Sequence, residues 1–355
     1  MDKKYLINFR RLLILSALLP LIHGAVRPIY NIAHMVNSIK EIDLYLSRGA
    51  NIIEADVSFS SNGTALHTFH GPPCDCARFC KEQEDIEKYL AYVREITKPE
   101  NINYKEQLVL LFLDLKISSL PLSVKATAGS DLAEKVISNL FEFGTTTSKI
   151  KLLLSIGHVS DYDFVLGFTR ELERSRLQHL NAKIGWDTGL NDEVSDVISF
   201  WRQIQITNNI WLGDGISNCI SPFYSLERLT EVLNRRDSKG RSDPIIDKVY
   251  HWTIDLRPNL RASLRFGVDG IITNHPERLY AILEEPGFSS KYRLATHDDD
   301  PWKRIQSYPH DKRPANANRI INKPTISRES VSDLLTSFSK YLGGFVRRRL
   351  PHARN

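Results

Sequence analysis

The chain has 355 residues, 42% of them hydrophobic, and a formal net charge of +5. That charge is unevenly spread: residues 303–355 carry +9 and residues 1–24 carry +3, which leaves −7 on residues 25–302. An acidic body with a basic tail excludes a nucleic-acid-binding domain and leaves the tail able to touch anionic surfaces such as a membrane.

The N-terminus has the pattern of a secretory leader over residues 1–24. Lys3, Lys4, Arg10 and Arg11 precede the apolar run LLILSALLPLI, whose eleven residues fall short of the roughly 20 a membrane span needs. A secreted chain meets an oxidising compartment, where the four cysteines Cys74, Cys76, Cys80 and Cys219 can pair. Cys74 and Cys76 are too close in sequence to bond readily, so two pairings stay open.

From Ile29 to Glu285 short apolar runs alternate with segments of helical period. The runs are IYNIAHMV, NIIEADVSF, LVLLFLDLK, IKLLLSIG, AKIGWDTG, NIWLGDGIS, KVYHWTID and VDGIITNH. Near-continuous apolar character marks strands buried on both faces of a parallel sheet. Between them Ile86, Leu90, Val93 and Ile96, or Val194, Val197, Ile198 and Trp201, recur at helical spacing. Eight such pairs in 257 residues predict an α/β fold, a (β/α)₈ barrel over residues 25–302, with an open doubly wound sheet as the alternative.

A barrel places its chemistry at the C-terminal ends of the strands. In chain order, His34 closes the first run. Glu54 and Asp56 end the second, and a strand's period of two puts both carboxylates on one face. Asp114 and Lys116 repeat that spacing on the third, and Tyr250 and Trp252 on the seventh; Asn274 ends the eighth. Three carboxylates at one mouth need a positive partner, and a hard divalent cation such as Mg²⁺ suits oxygen ligands from Glu54, Asp56 and Asp114. Lys116 adds a fixed charge suited to a phosphate.

The stretch HTFHGPPCDCARFC follows the second strand and therefore belongs to the same mouth. His34 and His70 are the expected acid–base pair for a displacement at phosphorus, whereas His67 reads as an exposed loop residue. The cysteine spacing does not match common zinc sites, so the stretch reads as a catalytic loop within disulfides that staple it to the loop holding Cys219. Asn62 in NGT is a glycosylation sequon.

These motifs closely resemble the arachnid sphingomyelinase D family, the phospholipase D toxins of spider venoms and their relatives. The likeness runs from about Ile29 to Trp302 through AHMVN, NIIEADVSF, HGPPCDC, FLDLK, GDGISNC, YHWTID, ITNHPE and the closing ATHDDDPW, which resembles the terminal plug ASYDDNPW of that family. It implies a magnesium-dependent barrel that releases choline or ethanolamine from sphingomyelin or lysophospholipids, with the lipid's own hydroxyl attacking phosphorus to leave a cyclic phosphate. It implies His34 and His70 as the catalytic pair, Glu54, Asp56 and Asp114 as metal ligands, and Lys116 on the phosphate. Tyr250, Trp252 and Asn274 would line the substrate pocket, and the disulfides would be Cys74–Cys80 and Cys76–Cys219. Ala33 replaces a usual Gly, and SIGH replaces SIPN, which puts His158 where it could alter head-group preference. The tail after Trp302 exceeds the usual end of the family.

Two other functions fit the residues less well: a glycerophosphodiester phosphodiesterase using water, and a secreted lipid-binding protein without turnover. In the tail, Val331, Leu334, Leu335 and Phe338 give one apolar helical face ahead of Arg347, Arg348 and Arg349, which suits an anionic bilayer.

Overall fold

The computed structural model describes residues 26–238 and 245–305; the leader expected over residues 1–24 and most of the basic tail lie outside them. Eight parallel strands form the barrel: β1 (Arg27–Ala33), β2 (Ile52–Phe59), β5 (Leu110–Leu115), β6 (Lys151–Ile156), β7 (Ile184–Thr188), β8 (Ile210–Gly215), β9 (Ile246–Trp252) and β10 (Gly270–Thr273). Six fall within the apolar runs, and β1 and β9 each begin two residues ahead of theirs. Pairing of β1 with both β2 and β10 closes the barrel. The helices on its outside are α1 (Ile39–Ser47), α2 (Ile86–Ile96), α3 (Leu122–Lys135), α4 (Tyr162–Arg174), α5 (Val194–Gln203), α6 (Glu227–Asp237), α7 (Arg257–Phe266) and α8 (Pro276–Leu283). Among the described residues no helix is long and apolar enough to cross a membrane.

Three strands were not foreseen. β3 (Ala65–Thr68) turns back antiparallel on β2, and β4 (Glu84–Asp85) pairs with β3. His67 therefore sits in a hairpin opposite Ser58, half-buried, rather than in an exposed loop. The polar run SSNG masked this hairpin; its tight turn carries Asn62, exposed, whose Oδ1 accepts from the Ser60 and Thr64 hydroxyls. The third is β11 (Tyr292–Leu294), which pairs with the start of β1.

Strand period two splits the core into two apolar compartments. Residues such as Ile53, Ala55, Leu111 and Leu113 face the helices. Ile32, Ile52, Leu110, Phe112, Leu153, Trp211 and Tyr250 fill the barrel, as side chains do in folds of this kind. The terminal segment then closes the base. Trp302 packs into the inner cluster and donates its indole N–H to the Ala182 carbonyl at 3.1 Å, while Trp211 donates to the Pro301 carbonyl at 2.9 Å. Gly185 makes room for this plug, since a Cβ there would lie 2.3 Å from a Trp302 ring carbon.

Trp302→Ala should therefore cost about 3–5 kcal/mol of stability, as for other buried aromatic truncations. Denaturant unfolding reads this directly; a midpoint equal to that of the parent chain would show that the plug carries no stability.

Candidate active site

Register dictates what meets at the mouth. Asp56 pairs with Asp114, Asp114 with Ser155 and Ser155 with Asp187, so four successive barrel strands place polar side chains in one layer. A cavity of about 710 Å³ opens above it, lined by His34, Glu54, His70, Asp114, Lys116, Tyr250 and Trp252 among others. Asp56 is fully buried and not on its wall.

Glu54, Asp56 and Asp114 bring carboxylate oxygens within 4.8 Å of one another, and among the described residues they are the one such cluster able to hold a metal. Lys116 Nζ lies 2.6 Å from Asp114 Oδ2 and 2.8 Å from Asp56 Oδ1. Burial would lower the Lys116 pKa, but these two carboxylates outweigh it and raise it. Asp56 is held low against its own burial by Lys116, His70 and Asn37; the Asn37 amide donates to Asp56 Oδ2 at 2.7 Å and accepts from the Asp56 N–H at 2.8 Å. Glu54 lacks such help. Burial, then the Asp56 charge, push its pKa up to about 8, although the Met35 N–H donates to it at 2.7 Å. One lysine thus leaves the cluster short of positive charge. An all-oxygen donor set with surplus negative charge fits a hard divalent cation.

His34 and His70 face each other across this cluster, their ring centroids 6.4 Å apart and nearly perpendicular. His70 Nδ1 is 2.6 Å from the Gly71 carbonyl, which assigns the proton to Nδ1 and leaves Nε2 as the acceptor. His34 Nδ1 lies 3.1 Å from Asp75 Oδ2. Burial would lower the His34 pKa, but the Asp75 carboxylate outweighs it and raises it to about 9. Asp75 in turn is held well below the usual range, against burial, by His34, Asn274 and Ser217.

Asp75 was not singled out from the sequence, because a loop residue between two cysteines carries no periodic signal. Its position is over-determined. Cys74 bonds to Cys80 and Cys76 to Cys219. The Asn218 amide exchanges two hydrogen bonds with the Cys76 backbone, at 2.9 and 3.0 Å, and the Ser217 hydroxyl donates to Asp75 at 2.9 Å. Arg78 was also missed. It donates to the Asn274 Oδ1 at 3.0 Å and the Met35 carbonyl at 2.8 Å, with its guanidinium 5.0 Å from the Tyr45 ring centroid. Met35 and Ala77 adopt positive φ beside these contacts, a conformation costly to residues with a Cβ.

Tyr250 and Trp252 both stand on the cavity wall. The Tyr250 hydroxyl is committed to Asp187 Oδ2 at 2.8 Å, where Ser155 also donates at 2.7 Å; burial pushes the Asp187 pKa up to about 7. Asp187 was passed over in the strand WDT, although its late position matches that of Asp114. Asn274 differs from the pocket position expected for it: it is off the cavity wall, donating to Asp75 at 2.9 Å and Asp255 at 3.0 Å. His158 pairs with Asp192 at 2.7 Å and is likewise off the wall.

Fold and mouth together define a (β/α)₈-barrel enzyme with a carboxylate cluster able to hold a metal ion. The profile of the dermonecrotic toxin SPH family matches residues 24–302, and the chain belongs to that family. It is 44% identical over 288 residues to dermonecrotic toxin SPH of Ixodes scapularis, spanning 79% of this chain and 77% of that protein. It is 42% identical over 271 residues to a dermonecrotic toxin of Loxosceles cf. spinulosa, spanning 76% of this chain and 97% of that protein. A solved glycerophosphodiester phosphodiesterase from Parabacteroides distasonis superposes with a TM-score of 0.46 at 15% identity, over 72% of this chain and 98% of that one.

Asp75→Asn keeps the hydrogen-bond geometry but removes the charge that holds the His34 proton. A raised pKa means the imidazolium persists through neutral pH and is lost as pH passes about 9. The variant should lose about tenfold or more in kcat, and its alkaline limb should move to lower pH. An unchanged pH profile would contradict the pairing.

Proposed function

We propose that this chain is a secreted, magnesium-dependent phospholipase D that frees the head group of sphingomyelin or lysophospholipids and leaves a cyclic phosphate. The observation that carries this reading is the juxtaposition of His34 and His70 at one cavity with Glu54, Asp56, Asp114 and Lys116. Glu54, Asp56 and Asp114 would hold the cation, which when bound supplies Lewis-acid stabilisation of charge on phosphate oxygens. Lys116 binds the phosphate and offsets its charge. His70 Nε2 takes the proton of the lipid's own hydroxyl as that oxygen bonds to phosphorus. The bond from phosphorus to the head-group oxygen breaks, and His34, held protonated by Asp75, gives that oxygen a proton. Atoms balance as a cyclic diester plus a free alcohol. Asn274 acts through Asp75 and His34, and Tyr250 and Trp252 present aromatic faces suited to a quaternary ammonium.

A lipid substrate is further supported by the surface. Leu122, Tyr162, Leu190, Ile220 and Phe223 are 41–65% exposed and follow four successive barrel strands, on the side where the cavity opens. Such residues can enter a bilayer interface while the mouth meets its substrate. Secretion is supported by the leader pattern of residues 1–24 and by the two disulfides, and the exposed turn at Asn62 supports glycan attachment there.

Phosphorus NMR of the products of purified protein and sphingomyelin tests the reaction. A cyclic phosphodiester resonance alone is expected, and His34→Ala or His70→Ala should each lower its rate by at least about 10²-fold. A phosphomonoester would mean that water attacks, and bound lipid without head-group release would mean a binding protein. For the rim, Phe223→Ser should weaken binding to sphingomyelin vesicles about tenfold, the worth of one buried aromatic, and leave turnover of a dispersed lysolipid unchanged. Equal vesicle binding by both proteins would remove the rim from the account.

A further inference from the structure

A second cavity, of about 350 Å³, lies at the opposite end of the barrel from the mouth. Lys149 leads into β6 and Lys151 opens it, Lys183 leads into β7, and His297 belongs to the terminal plug, so the cavity is built at the N-terminal ends of the strands. None of these residues contributes to the mouth.

Charge in this cavity is poorly balanced. Asp300 neutralises Lys151, its Oδ1 lying 3.0 Å from Nζ. Asp299 lines the cavity, but both of its oxygens are taken by Arg293, at 2.6 and 2.7 Å. Among the described residues Lys149 and Lys183 have no ion pair; Lys183 donates to the Ser148 carbonyl at 3.1 Å. His297 Nε2 is buried with no hydrogen-bond partner. Burial, then the Lys151 charge, lower the Lys183 pKa. Burial, then Lys149, lower that of His297, with Lys151 adding and Glu106 and Asp298 opposing. The basic groups thus repel one another around a space whose lining carboxylate, Asp299, is paired with Arg293.

We propose that this cavity binds a phosphate group, held by Lys149, Lys183 and His297, at a site separate from the catalytic mouth. A tetrahedral dianion supplies what the cavity lacks: acceptors for two ammoniums and one buried imidazole nitrogen. The volume exceeds what inorganic phosphate fills and leaves room for an attached organic group, and it lies within the usual range for small-ligand pockets. A protein whose mouth rests on a bilayer turns this end toward solution, which favours a free phosphorylated molecule over a lipid head group.

Lysine acetylation followed by peptide mass spectrometry reads the site residue by residue in the full chain. The metal-free protein is labelled with inorganic phosphate, glycerol 3-phosphate or phosphatidic-acid vesicles present, each against sodium chloride at equal ionic strength. Lys149 and Lys183 should label severalfold more slowly with phosphate, while Lys88, on the outer surface, should not change. In Lys183→Met and in His297→Gln, protection of Lys149 should need about tenfold more phosphate, the loss of one charge-assisted contact, with lipid turnover unchanged. His297→Gln keeps the test intact if Lys183→Met fails to fold. Protection by glycerol 3-phosphate supports a free ligand, and protection by vesicles alone assigns the same phosphate chemistry to a lipid. Equal labelling with and without phosphate, or Lys149 protection unaltered in both variants, would overturn the proposal.

Discussion

Three carboxylates held within reach of one another at a barrel mouth repel, and the rest of the site answers that repulsion. Register places Asp56 beside Asp114, and strand period adds Glu54 to the same face. None of the three can turn away, because each is fixed on a strand whose other face is packed against helices. Lys116 relieves Asp56 and Asp114, Asn37 ties Asp56 in place, and the pKa of Glu54 stays raised by burial and by the Asp56 charge. Unpaired buried charge costs several kcal/mol in a folded protein, so a cluster of this kind is stable only with a counter-charge matched to it. A divalent cation would supply that counter-charge. The same electrostatics that threaten the fold therefore define the site.

The second device is the stapled loop. Residues 71–80 would be mobile if held by backbone alone. Two disulfides, the Asn218 contacts and Arg78 fix the loop to Met35 just after β1, to the loop after β8 and to Asn274. Their common product is the position of Asp75 against His34. Backbone at positive φ on either side, at Met35 and Ala77, persists only because so many contacts over-determine it. Preorganisation of the histidine pair thus rests on residues that need not touch the substrate.

The barrel was legible in the sequence because buried parallel strands leave long apolar runs, and the site carboxylates were legible because they interrupt those runs near their ends. Glu54, Asp56 and Asp114 stand out as polar residues where burial is otherwise apolar. Asp187 sends the same signal more faintly, since the run around it, GWDT, is shorter and already polar at its end. Asp75, Arg78 and Asn37 send none: their roles arise from contacts across 19 to 199 positions of chain, brought together only by closure of the barrel. The β2–β3 hairpin was hidden by its polar turn, and β3 and β4 by the shortness of both strands. Asn274 was placed correctly at the end of the last strand, but which way its amide turns depends on Arg78 and Asp255, which no local pattern reveals.

The central claim, that the carboxylate cluster is built around a divalent cation, is most directly tested by calorimetric titration of the metal-free protein with Mg²⁺, beside Asp56→Asn. The account predicts one bound ion per chain in the parent protein, a melting temperature that rises with Mg²⁺ concentration as linkage requires, and loss of both in the variant. Absence of binding in the parent protein, or an equal affinity in Asp56→Asn, would contradict it.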